Sequence, residues 1–150
     1  MDFIHKKDIP LHKKVTYANM VCDHRPLKSE PFQVRLTVGG DRLEYEYDAA
    51  SPAASLLETK LLINSTISQS SQGCRFMTLD IKDFFLQTDM KDHEYMRIHH
   101  KYILSHIREK YNLTTNLNSD GYVYCRIKKS MYGLKQAARL AYDDKILPVR

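Results

Sequence analysis

FQVRLTVGGDRLEYEY, residues 32–47, alternates apolar and polar side chains on both sides of Gly39-Gly40. Paired glycines between two alternating runs predict a β-hairpin with a two-residue turn, where positive φ is required. Folding at that point sets Phe32 opposite Tyr47, Val34 opposite Tyr45 and Leu36 opposite Leu43. On the other face Arg35 meets Glu44 and Thr37 meets Arg42. One face is then apolar and the other polar, and a slip of one residue would exchange them.

Outward from this hairpin the chain reads as alternating short elements. Residues 1–31 carry weak periodicity and are punctuated by Pro10, Pro26 and Pro31. They predict short extended pieces and turns, an N-terminal segment ahead of one unit over 32–150. Ser51-Pro52 reads as a helix N-cap followed by proline at the first helical position. That helix is predicted to run to about Ser68, with Ala53, Leu56, Leu57, Leu61, Ile63 and Ile67 on its apolar face. A strand over 75–80 and a short helix or turn over 81–87 follow. EYMRI (94–98) predicts a strand, 102–111 a helix, NLNSDG (116–121) a turn and YVYCRI (122–127) a strand. A last helix runs from Leu134 to Leu147, closed by Pro148. The expected class is α+β, with helices packed on a partly antiparallel sheet.

A chain of 150 residues, 43% hydrophobic and 27% charged, has the composition of one globular domain. No run reaches the ~18 apolar residues of a membrane span. MDFIHKKDIP lacks the apolar stretch of a signal peptide, so an intracellular chain is expected, in a cytoplasmic particle or the nucleus. Cys22, Cys74 and Cys125 are widely separated and odd in number, which predicts reduced, mostly buried thiols. His93, His99, His100 and His106 cluster, but no second ligand group completes a zinc pattern.

The net charge of +5 is uneven: residues 101–150 hold ten Lys/Arg against four Asp/Glu. With Tyr102, Tyr111, Tyr122, Tyr124, Tyr132 and Tyr142 interleaved, this third could meet a polyanion or simply form a solvated face.

FMTLDIKDFF, residues 76–85, sets Asp80 at the end of an apolar run. A buried acid without a partner costs several kcal/mol, so Asp80 must emerge at a strand end or meet a cation.

TLDIKDFFLQTDM (78–90), EYMRI (94–98) and YCRIKKSMYGLKQAARLAYDDKI (124–146) resemble, in that order and spacing, the reverse transcriptase of copia-type LTR retrotransposons. RLTVGGD and SPAASLLETKLLINSTIS resemble that family's fingers hairpin and first long helix. The resemblance spans about residues 25–147. It implies the fingers and first part of the palm of a right-hand polymerase that builds DNA on an RNA or DNA template. It further implies that Asp80 is the first metal-binding aspartate, with the backbone carbonyl of Ile81 beside it, holding Mg²⁺. Phe85 would crowd the 2′-OH of the incoming sugar, and Gln136 would contact the incoming nucleotide. Lys135, Arg35 and Arg42 are candidates for its phosphates. Cross-strand pairing of Arg35 with Glu44 is the competing reading. Lys128, Lys129 and Arg139 are candidates for nucleic-acid contact. The implied partners are template-primer, deoxynucleotides, and the remaining palm, thumb and RNase H regions.

The family's second acidic motif, aromatic-x-Asp-Asp on a palm hairpin, does not occur before Arg150. Ala141-Tyr142-Asp143-Asp144 starts with alanine instead of an aromatic and lies in the last predicted helix, where Arg139 and Asp143 form an i,i+4 pair. The chain alone is therefore expected to be inactive: a truncated element, one exon of a longer protein, or a decayed copy. Without further palm strands, open edges are expected along 75–80 and 122–127. A non-catalytic basic nucleic-acid-binding remnant is the alternative, and a pseudogene product without function is a third reading.

Overall fold

Alternation in EYMRI and YVYCRIK puts Met96, Ile98, Val123, Cys125 and Ile127 on one side of two neighbouring strands, and all five are buried. The computed structural model describes residues 1–146. Its strands are β1 (Asp2–Ile4), β2 (Val15–His24), β3 (Phe32–Val38), β4 (Asp89–His99) and β5 (Tyr122–Lys129). Its α-helices are α1 (Leu56–Ser68), α2 (Ser105–Lys110) and α3 (Ala137–Lys145). The fold is α+β: a five-stranded mixed sheet, strongly curled into a half-barrel, with three helices among the described residues. The strand order is β1-β5-β4-β2-β3; β2 and β4 are parallel and the other neighbours antiparallel.

A register row crosses four strands through Thr16, Met96, Cys125 and Phe3. Around it gather Met90, Ile103, Leu113, Met131, Leu134 and Ala137, which join the strands to the helical side. The predicted strands 94–98 and 122–127 lie within β4 and β5. The predicted helix at 102–111 contains α2, and the one at 134–147 contains α3. The expected end of the last helix at Leu147-Pro148 lies outside the described residues.

The hairpin predicted to turn at Gly39-Gly40 does not form; of its two strands only 32–38 exists, as β3, and it has a different partner. β3 pairs with β2, from Ala18↔Val38 to His24↔Phe32, and the connection lies at 25–31. There the Arg25 N–H donates to the Pro31 carbonyl at 2.7 Å. Residues 1–31, read as short pieces and turns, thus contain a ten-residue strand. Residues 43–47 form no strand, so the expected pairs of Phe32, Val34 and Leu36 with 43–47 do not occur. Nor does the Arg35–Glu44 pair: Glu44 meets Lys14, and Arg35 donates to Gln33 at 2.9 Å.

The reason is the use made of the two glycines. Neither Gly39 nor Gly40 has positive φ. The chain passes through a 3₁₀ turn at Gly40–Arg42 and buries Leu43. The Val38 N–H donates to the Tyr132 carbonyl at 2.8 Å, and the Gly39 N–H to the Tyr17 carbonyl at 2.9 Å. A Cβ on Gly40 would overlap the Gly133 carbonyl oxygen, and one on Gly133 the Val38 carbonyl oxygen. Glycine is needed here for close approach of backbones rather than for a hairpin turn. Burial along β3 falls from Val38, 3% exposed, to Phe32, 78% exposed, as the β2–β3 ribbon leaves the sheet.

Helix α1 begins at Ser55 instead of Ser51. Ser55 and Glu58 form a reciprocal capping box, with N–H···O distances of 2.6 and 3.1 Å. Ser51 has Ala54 at the third position after it and can form no such box. No residue of α1 is buried, so this helix does not pack on the sheet as expected. Residues 75–80 are not a strand. Both edges of β4 are occupied, by β2 and β5, and a strand forms only with a partner ladder. On β5, β1 closes the edge at Tyr124, Cys125 and Arg126, so the open edge expected along 122–127 is covered over those three residues; the outer strands of the sheet are β1 and β3.

All three cysteines are free, but Cys22 is exposed and Cys74 half-buried, against the expectation of buried thiols. Burial pushes the Cys125 thiol up to about 12. Under native conditions a thiol reagent should label Cys22 first and Cys125 only on unfolding; rapid native labelling of Cys125 would contradict the packing of β5. In urea titrations Gly133→Ala should lose ~2–4 kcal/mol, because it adds overlap to positive φ. Gly73→Ala, at positive φ with open space around it, should lose only ~1 kcal/mol.

Candidate functional site

The glycine contact gathers three of the segments on which the resemblance rests. It fixes Tyr132 and Gly133 at the end of β3, and the Ser130 N–H donates to the Thr88 carbonyl at 2.8 Å. Phe85 opens a 3₁₀ turn at Phe85–Gln87, inside the predicted 81–87 element. Its ring meets Tyr132 edge to face, with centroids 5.1 Å apart at 83°. Phe84 touches the Phe85 ring and is half-buried. Gln136 lies just before α3 and is 5% exposed.

Gln136 leads to a residue that motif reading passed over. Its amide Nε2 donates to Glu94 Oε1 at 3.4 Å, and Glu94 is 7% exposed. Lys13 Nζ lies 2.6 Å from Asp92 Oδ2 and 3.9 Å from Glu94 Oε1. Burial holds the Glu94 carboxyl above the usual carboxylate range, and Asp92 adds to this; Lys13 and the Gln136 amide oppose it. The signal was present in the sequence: in HEYMRI, Glu94 occupies the same alternation as the core residues Met96 and Ile98.

Glu94, Gln136, Thr88, Met90, Leu43 and Leu140 line a cavity of about 770 Å³ together with Asp143 and Asp144. Two buried polar atoms of its lining residues have no hydrogen-bond partner, Gln136 Oε1 and Thr88 Oγ1. Buried polar atoms are normally satisfied, so this wall retains capacity for polar contact.

The remaining sequence-predicted residues stand apart. Asp80 and Ile81 are exposed on the unpaired 75–81 run. Arg35 is half-buried on β3. The Arg42 guanidinium lies over the Tyr17 ring, 4.9 Å from its centroid. Lys135 is exposed. Lys128 pairs with Asp2 at 2.9 Å and Lys129 with Asp89 at 3.9 Å. Arg139 pairs with Asp143 at 2.9 Å, the expected i,i+4 contact within α3. Among the described residues no three His, Cys, Asp or Glu side chains converge as a metal site. None of the described helices is long and apolar enough to cross a membrane.

Comparison with protein-family models, curated proteins and solved structures found no match to this chain.

The folded pKa of Glu94 stands above its unfolded value, so its carboxyl favours the fold below the unfolded pKa. That contribution is lost as pH rises through the folded pKa. Glu94→Gln should therefore match the parent in acid and exceed its stability at neutral pH. Chemical unfolding at both pH values measures this; a variant less stable at neutral pH would show that ion pairing with Lys13 outweighs burial.

Proposed function

We propose that this chain supplies the fingers and first palm segment of a copia-type retrotransposon reverse transcriptase, an RNA-directed DNA polymerase. The observation that carries the reading is the meeting of its motifs. Phe85 and Tyr132 stand 47 positions apart in sequence and touch edge to face, with Gly133 held against β3 and Gln136 buried in the adjoining wall. In this reading Phe85 selects against a 2′-hydroxyl and Gln136 contacts the incoming nucleotide. Exposed apolar residues on α1 (Leu56, Leu57, Leu61) and on 76–81 (Met77, Leu79) supply surface that further palm strands would cover.

The residues present do not complete a Mg²⁺ site. Asp80 with the Ile81 carbonyl offers two oxygens at an exposed position, and Mg²⁺ prefers a near-octahedral oxygen set. Asp143 is engaged with Arg139 on α3. The chain's own part is therefore nucleotide selection and one carboxylate; a second acidic motif must come from elsewhere.

Primer extension tests this. With template-primer, deoxynucleotides and Mg²⁺, the 150-residue chain alone should give no product. Joined in frame to a copia-type palm hairpin bearing aromatic-x-Asp-Asp and a thumb, it should extend the primer. Asp80→Asn should then cut the rate by more than ~100-fold, and Phe85→Ala should admit ribonucleotides. Templated extension by the chain alone would overturn its incompleteness; an inactive joined chain would overturn the family reading.

A further inference from the structure

We propose that the sheet face turned away from the core binds single-stranded nucleic acid, by stacking bases on its rings and pairing phosphates with its cations. The face follows from strand alternation. On β4, Tyr95, Arg97 and His99 alternate with the core residues Met96 and Ile98. On β5, Tyr122, Tyr124, Arg126 and Lys128 alternate with Val123, Cys125 and Ile127. The register then sets Tyr95 opposite Arg126, Arg97 opposite Tyr124, and His99 opposite Tyr122. A ring thus stands opposite a guanidinium group at Tyr95–Arg126 and at Arg97–Tyr124, and ring meets ring at His99–Tyr122. Tyr17 of β2 extends the row beside Arg97, with Arg42 over its ring.

These groups are arranged for flat, anionic ligands. Arg97 lies over the Tyr122 ring, 4.7 Å from its centroid, and His99 meets Tyr122 edge to face at 5.1 Å. Tyr95 and Tyr124 are 7% and 5% exposed and form the floor; Tyr17, Arg97, His99 and Tyr122 are half-open above it. Arg126 Nε is buried without a partner, a donor that lacks its acceptor. Over 95–99 and 122–128 no acid falls on this face. The acids beside it are Asp2 of β1, which binds Arg126 and Lys128 at 2.9 Å each, and Asp41, which accepts from the Tyr17 hydroxyl at 2.9 Å.

Charge decides against the cavity as the polyanion site. Glu94 belongs to the opposite alternation of β4, and the cavity wall also carries Glu44, Glu46, Asp89, Asp92, Asp143 and Asp144. Stacking decides for single strands over duplex, whose base faces are already covered; aromatic stacking adds ~1–3 kcal/mol per base. The assignment does not rest on the polymerase reading, because it uses neither Asp80, Phe85 nor Gln136.

Binding of labelled oligo(dT) and oligo(U), measured by anisotropy at low salt without nucleotides or Mg²⁺, tests the proposal. Tyr122→Leu should weaken binding about tenfold. Arg97→Gln should weaken it and flatten the logarithmic salt slope by about 0.7. Lys60→Gln, on the exposed helix α1, should leave binding unchanged. With no tryptophan and ten tyrosines, the parent chain's tyrosine emission should be quenched as bases stack, a readout independent of whether a variant folds. Absence of binding at low salt, unquenched emission on binding, equal affinity for duplex, or loss of binding on Lys60→Gln would each overturn the assignment.

Discussion

The close approach of Val38-Gly39-Gly40 to Tyr132-Gly133 holds the two parts of this fold together. The β2–β3 ribbon comes from the first 38 residues, and the turn it meets follows β5. Backbone touches backbone there, with one direct hydrogen bond from Val38 to Tyr132 and no room for a Cβ on Gly40 or Gly133. The other contacts of that corner depend on it. Tyr132 meets Phe85 edge to face, Ser130 ties back to Thr88, and Leu134, ahead of α3, and Ala137, its first residue, lie in the core. Side-chain packing alone tolerates small adjustments of a few tenths of an ångström; a backbone contact without Cβ atoms does not.

The same strands separate two chemistries by parity. On the core side of β4, Glu94 sits among apolar neighbours and draws Gln136 and Lys13 around it. One residue over, Tyr95, Arg97 and His99 face the opposite way and meet the tyrosines and cations of β5. A chain of net charge +5 thereby places an acid-rich cavity and a ring-and-cation surface on opposite sides of one sheet. Lys128 and Lys129, adjacent in sequence, are divided by that alternation, one turned to Asp2 and the other to Asp89.

Much of the local structure was legible. The strands read over 94–98 and 122–127 lie within β4 and β5, and the helices read over 102–111 and 134–147 contain α2 and α3. The i,i+4 pair of Arg139 and Asp143 could be read from spacing. Gly39-Gly40 was read as a turn because paired glycines permit positive φ, whereas here they permit contact; sequence cannot distinguish those two uses. Ser51 reads as a cap because Pro52 follows it, whereas the cap that forms is Ser55, through its reciprocal bonds with Glu58. Apolar content predicted a packed α1 and a strand at 75–80, yet apolar residues form neither without a neighbouring surface or ladder.

Sequence by itself determined which residues can alternate, cap and coil, since those depend on neighbours within a few positions. It also determined which candidate chemistries the motifs suggest: Asp80, Phe85 and Gln136 on one reading, the basic tyrosine-rich third on another. Only the tertiary structure decided that β3 pairs with β2, that Glu94 and Gln136 share a buried wall, and that Arg97 lies over Tyr122. These depend on contacts between distant segments, whose choice rests on the burial and closure of the whole sheet rather than on any local preference.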